Sequence, residues 1–126
     1  MNLLAFDTAT EWCTAALWLG EGTGEPVFRE IHAGQKHSEL LVPMVMSLLA
    51  EAGLSLRGLD GLAYGMGPGS FTGLRIACGV AQGLALGADL PVLGVSTLEA
   101  LAEEARNRHG ADRVVACLDA RMNEVY

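Results

Sequence analysis

Residues 62–75 read Leu62-Ala63-Tyr64-Gly65-Met66-Gly67-Pro68-Gly69-Ser70-Phe71-Thr72-Gly73-Leu74-Arg75. An apolar run ends in glycines and a helical pattern starts at once, which predicts a strand over Leu62–Gly65 and a helix from Phe71 to Leu86. A glycine turn at this junction is either a phosphate cradle or a tight structural corner. A Walker A loop needs GxxxxGK and then Ser or Thr, but Gly73 is followed by Leu74-Arg75. The dinucleotide motif needs GxGxxG, whereas Gly67 to Gly73 is one residue too long, and Val95 is followed by Ser96-Thr97 rather than by an acidic residue. What remains is the affinity of helix N-terminal amides, here beside Ser70 and Thr72, for an anion. A plain corner, with Ser70 or Thr72 capping the helix, ranks above it.

Further along that helix, Gly79, Gly83 and Gly87 recur every four residues and share one stripe. Each internal glycine costs about 1 kcal/mol relative to alanine, so the stripe implies a close backbone approach. Two surfaces fit equally well: the protein's own sheet, or a neighbouring helix from another chain.

Upstream, Leu3–Phe6, Thr14–Leu19 and Pro26–His32 read as an antiparallel meander, with turns at Asp7-Thr8-Ala9-Thr10-Glu11 and at Gly20–Gly24. A helix then runs from Ser38, taken as its N-cap, to Gly53, with Leu41, Val45, Leu48, Leu49 and Ala52 on one stripe. Leu40, Met44, Val42 and Met46 fall outside that stripe, and methionines on a helix surface suit an adaptable protein interface. Downstream, Pro91–Val95 reads as a short buried strand, and Ser96 caps a helix from Thr97 to Arg108 that ends before Gly110. The order is βββαβαβα, an α/β fold with right-handed crossovers and a mixed sheet covered on both faces.

The last residues begin the pattern again. Val114 to Tyr126 echoes Leu3 to Cys13: an apolar strand, an aspartate, a polar turn, a glutamate and a second strand. The chain therefore reads as a first domain over 1–110 and, over 111–126, the first strands of a second copy that is otherwise absent.

Composition narrows the function classes. Eight Lys and Arg stand against 15 Asp and Glu, a net charge of -7, which opposes direct binding of an extended nucleic acid. With 51% hydrophobic residues, part of the surface is expected to be covered by a partner. The longest apolar stretches, Leu40–Leu49 and Ile76–Ala88, fall short of the roughly 20 residues of a membrane span, and no secretory signal opens the chain, so a cytoplasmic location is expected. Cys13, Cys78 and Cys117 form neither a disulfide framework nor a CxxC pair and read as reduced core residues. His32 and His37 have the wrong spacing for a metal pair and read as loop residues, and His109 as a helix-end residue. Asp7 and Asp119 read as turn residues rather than an acid/base pair, so no catalytic group is assembled.

Asp7-Thr8-Ala9-Thr10, Lys36–Val45 (KHSELLVPMV), Gly67–Ala77 (GPGSFTGLRIA), Gly94–Leu101 (GVSTLEAL) and Asp119–Tyr126 (DARMNEVY) together resemble the TsaB family, formerly YeaZ. The resemblance implies the actin-like ATPase fold of the sugar kinase and heat-shock class, ribonuclease H-like, of which this is the first half. It implies a non-catalytic subunit for threonylcarbamoylation of the tRNA adenosine beside the anticodon, paired with a TsaD-like catalytic subunit and a TsaE-like ATPase, with tRNA met indirectly. It places the partner surface on the two central helices, at Leu40, Met44, Gly79 and Gly83, with a homodimer through them when the chain is alone. No metal is implied for this chain. ATP or ADP in the complex would be met by Asp7, Thr8, Thr10, Ser70 and Thr72. The alternatives are an ATP-binding phosphotransferase lobe of the same fold and, last, a peptidase, after the family's older glycoprotease (M22) label.

Overall fold

The computed structural model describes residues 1–20 and 24–126; the Gly20–Gly24 turn expected from sequence lies largely outside them. Three strands open the chain, β1 (Asn2–Asp7), β2 (Trp12–Leu19) and β3 (Val27–His32). Helix α1 (His37–Glu51), a 3-10 turn at Leu56–Gly58, β4 (Gly61–Gly67), α2 (Phe71–Ala88), β5 (Val92–Ser96) and α3 (Thr97–His109) follow. The five strands form one sheet in the order β3-β2-β1-β4-β5, antiparallel among the first three and parallel across β1, β4 and β5. A separate hairpin, β6 (Asp119–Arg121) and β7 (Glu124–Val125), ends the chain.

Alternation along β1 and β2 sets the core. Leu4 faces Leu17, and Phe6 faces Ala15, on one side of the sheet, with Leu62 of β4 beside Leu4. Helices α1 and α2 close that side: α1 buries Leu41, Met44, Val45, Leu48 and Leu49, and α2 buries Ala77, Ala81 and Ala85. Each leucine or valine so covered contributes about 1.5–3 kcal/mol relative to exposure. The alanine stripe brings α2 close to the sheet, because small side chains hold the helix axis low over the strands.

Several local expectations need correction. Ser38 is not the N-cap of α1; Lys36 is, with no side-chain cap bond. The strand expected at Pro91–Val95 is not buried, because β5 is an edge strand on which Leu93 is 65% exposed. The sheet is not covered on both faces: α3 packs over β4 and β5, and among the described residues the opposite side of β1, β2 and β3 is left open. Val114–Leu118, read as a strand, runs as coil with no partner strand among the described residues. All three cysteines are free, but only Cys13 is in the core, and Cys117 is exposed. Helix α2, with 18 residues and a mean hydropathy of 1.2, does meet the length and composition of a short membrane span, although it packs on β4.

The turns at Asp7 and Asp119 share a local geometry. Asp7 Oδ1 accepts the Ala9 amide at 2.8 Å, and Asp119 Oδ1 accepts the Arg121 amide at 2.7 Å. Each aspartate closes the same two-residue turn before an antiparallel partner strand.

Candidate functional site

The glycine turn is filled by protein rather than open to a ligand. A Cβ on Gly73 would stand 1.8 Å from the Thr8 carbonyl oxygen, and one on Gly69 would stand 2.6 Å from Ala9 Cβ. The absent side chains let the head of α2 sit against the β1–β2 turn. Thr8 Oγ1 donates to the Gly73 carbonyl at 2.6 Å, and the Ser70 amide donates to the Ala9 carbonyl at 2.7 Å. Ser70 caps α2 by accepting the Gly73 amide at 3.3 Å. The corner and the cap are thus both present, built as one contact between two turns.

This contact sorts the residues expected to meet an anion. Thr8 is fully buried with its hydroxyl committed to Gly73, so it cannot meet a phosphate. Asp7 lies on the other side of the sheet, its carboxylate over Gly65. Thr10, Ser70 and Thr72 do converge, on a cleft of about 1050 Å³ between the β1–β2 turn, the head of α2 and the β6–β7 hairpin. Glu11, Asp119 and Arg121 share its walls, so its charge does not by itself favour an anion.

The histidines are also placed differently from expectation. His37 is the first residue of α1 rather than a loop residue, 6% exposed, with Nε2 2.8 Å from the Thr10 carbonyl. It fixes α1 to the β1–β2 turn, a role with no signal in its spacing. His32 ends β3, stacks edge-on against Trp12 and lies 3.3 Å from Glu11. Among the described residues, no three His, Cys, Asp or Glu side chains gather as a metal site would need. Burial pushes the Cys13 thiol up, and the nearby Asp7 charge adds to it, which keeps this thiol protonated and unreactive.

The outer face of the helical layer is the second feature. On α2 the alanine stripe faces the sheet, and the glycine stripe faces away: a Cβ on Gly79, Gly83 or Gly87 would meet nothing within 4 Å. The reading in which these glycines pack on the protein's own sheet is therefore corrected. Phe71 and Leu86, 69% and 88% exposed, flank the stripe, and the Arg75 guanidinium lies 3.9 Å over the Phe71 ring. On α1, Val42 and Met46 are exposed, whereas Met44, expected on the partner face, is only 6% exposed and belongs to the core. Leu40 is half-buried against that core. The signal that separates the two α2 stripes is the presence of Arg75 and Gln82 on the glycine side of the helix.

Comparison with known proteins places these features. The model of the TsaD family, described as tRNA N6-adenosine threonylcarbamoyltransferase, matches residues 30–126. The tRNA threonylcarbamoyladenosine biosynthesis protein TsaB of Escherichia coli (strain K12) is 52% identical over 126 residues, covering 100% of this chain and 53% of that protein. The structure of YeaZ from Pseudomonas aeruginosa superposes with a TM-score of 0.87 at 48% identity, over 98% of this chain and 57% of that one. Thermus thermophilus RuvC, at 12% identity and a TM-score of 0.54 over 91% of this chain and 84% of that one, shares the fold alone. The chain spans about half the length of the curated relatives it matches.

Proposed function

This chain belongs to the TsaD family of tRNA N6-adenosine threonylcarbamoyltransferases, and from that premise we propose that it serves tRNA threonylcarbamoyladenosine biosynthesis as a non-catalytic subunit. In this role it binds and activates a TsaD-like catalytic subunit in the cytoplasm, in company with a TsaE-like ATPase, and meets tRNA only through the assembly. The similarity to TsaB supports the pathway.

The single observation that carries the partner role is the outward glycine stripe. Gly79, Gly83 and Gly87 leave backbone bare on the solvent side of α2, where none of the described residues packs on it. Internal glycines cost helix stability, and a partner helix seated close against them offsets that cost. Phe71, Leu86, Val42 and Met46 are the apolar side chains that would surround such a helix. In the absence of the partner, a second copy can use the same face, which gives a homodimer.

The test is association with a TsaD protein by sedimentation, with the chain alone measured for its own mass. Gly79→Leu and Leu86→Glu lie on the open side of α2 and should each weaken the complex at least about tenfold, roughly 1.4 kcal/mol. Parental affinity in both variants would remove the assigned surface, and no complex with the parent would remove the proposal.

A second reading rests on the cleft beside Thr10, Ser70 and Thr72. There the chain would be an ATP-binding lobe of the phosphotransferase kind, with ATP or ADP held once a second lobe closes the cleft. Titration calorimetry with magnesium and ATP, on the chain and on the complex, separates the two readings. A peptidase reading has no nucleophile and base brought together among the described residues to support it.

A further inference from the structure

Strand β3 ends the sheet on one side, and among the described residues no strand pairs with its outer edge. The Ala33 amide donates to the Glu11 carbonyl at 2.8 Å, and the same register sets Ile31 opposite Cys13 and Arg29 opposite Ala15. Residues alternate along an antiparallel pair, so Arg29 and Ile31 turn their peptide groups to β2, whereas Phe28, Glu30 and His32 turn theirs outward. One of those outward groups is already engaged. The Arg29 guanidinium, held by Glu51 at the end of α1, donates to the Phe28 carbonyl at 3.0 Å. What remains bare is the backbone of Glu30 and His32, and a bare edge of this kind is a template for another strand.

We propose that this edge is a self-association surface: β3 of a second copy pairs with it antiparallel about a two-fold axis at Ile31, and the two sheets run on as one. Pairing of identical strands through their outward groups allows three registers. With Phe28 opposite Glu30, Arg29 meets Arg29 of the second copy; with Phe28 opposite His32, Glu30 meets Glu30. Like charges directly opposite destabilise a pair, and both of these registers need the Phe28 carbonyl that Arg29 holds. The third sets Glu30 opposite His32 on each side of the axis and Ile31 opposite Ile31, and it uses only the backbone of Glu30 and His32. It gives about four main-chain hydrogen bonds, acid–imidazole pairs and an apolar centre, which is the self-complementarity a two-fold interface requires. Ile31 and Trp12, 44% and 45% exposed, flank the edge and become partly covered. Two strands separate β3 from β4, on which α2 packs, so the outer face of α2 stays free and this inference does not rest on the function proposed above.

The experiment traps the pair at its axis. In a Cys13→Ala, Cys78→Ala, Cys117→Ser background, Ile31→Cys brings two thiols together at a non-hydrogen-bonded site, where α-carbons lie about 4.5 Å apart and a disulfide fits. Val27→Cys, at a position of similar exposure on the same side of β3 but off the axis, measures random collision. In a glutathione redox buffer, covalent dimer on non-reducing gels should form at least about tenfold faster from Ile31→Cys than from Val27→Cys, because pairing raises the effective concentration of the thiols. Adding Gly79→Leu, on the outer face of α2, should leave that rate unchanged. Adding Glu30→Pro should lower it at least about tenfold with the urea midpoint kept, because the Glu30 amide faces away from β2 and proline there removes only the intermolecular donor. If Glu30→Pro lowers the midpoint, Glu30→Lys gives the reading on an intact strand, since it sets lysine opposite His32 and should slow trapping likewise. Trapping no faster at position 31 than at position 27 would overturn the proposal. So would trapping that is lost with Gly79→Leu, which would assign it to the helical face, or trapping that ignores the change at Glu30.

Discussion

Two glycines six residues apart on α2 should respond to the same substitution with opposite signs. In Gly73→Ala the added carbon meets the Thr8 carbonyl oxygen at 1.8 Å, where ordinary contact begins near 3.4 Å. The obstacle is backbone, so the head of α2 must retreat from the β1–β2 turn. That retreat pulls the Gly73 carbonyl off the buried Thr8 hydroxyl, a bond of 2.6 Å. Overpacking costs about 1–3 kcal/mol and the stranded Thr8 hydroxyl about 1–3 kcal/mol more, so a loss of about 2–6 kcal/mol, centred near 4, is expected. Gly79→Ala meets nothing and lies in a helix interior, where alanine is better than glycine by about 1 kcal/mol. Urea unfolding followed by circular dichroism reads both. With a slope of about 2 kcal/mol per molar, Gly79→Ala should raise the midpoint by about 0.5 M and Gly73→Ala should lower it by about 2 M. A Gly73→Ala midpoint within about 0.3 M of the parent would refute the claim that the glycine turn is a filled corner rather than an open cradle.

Two further outcomes follow from the same contacts. Thr8→Val keeps the shape of the side chain but loses its bond to the Gly73 carbonyl, which keeps its place in the helix ladder, and should cost about 0.5–1.5 kcal/mol in the same urea assay. The thiols should react in the order Cys117, Cys78, Cys13 with a disulfide reagent at a mildly alkaline pH, the last only on unfolding, as counted by mass spectrometry. The Cys13 thiol is raised above its usual 9.0, so its contribution to stability is present below that value and is lost as pH rises through the higher folded value. Cys13→Ala should therefore flatten the alkaline limb of stability against pH.

Much of the fold is local and was legible. Alternation in Leu3–Phe6 and Thr14–Leu19, the serine caps before α2 and α3, and the glycines after α1 and α3 mark elements because each signal acts within one turn or one strand pair. The echo of Asp7 in Asp119 was legible for the same reason, since an aspartate closing a turn needs only its neighbours. What failed was long-range. Met44 was assigned outward because a helix wheel does not say how wide the buried stripe is, and α1 buries a broad one, from His37 to Leu49. Thr8 was assigned to an anion because its partner, Gly73, is 65 residues away. The face of α2 was open for a similar reason: Ala77, Ala81, Ala85 and Gly79, Gly83, Gly87 have the same period and nearly the same size.

By itself, then, the sequence determined the order of elements and the family, both of which depend on neighbours in the chain or on a string of residues. Tertiary structure alone decided that the alanines meet the sheet and the glycines meet solvent, that Gly69 and Gly73 are filled by the turn at Thr8 and Ala9, and that one side of β1, β2 and β3 is left uncovered by the described residues. These are questions of which surface lies against which, and they are answered by close packing between segments that are distant in sequence.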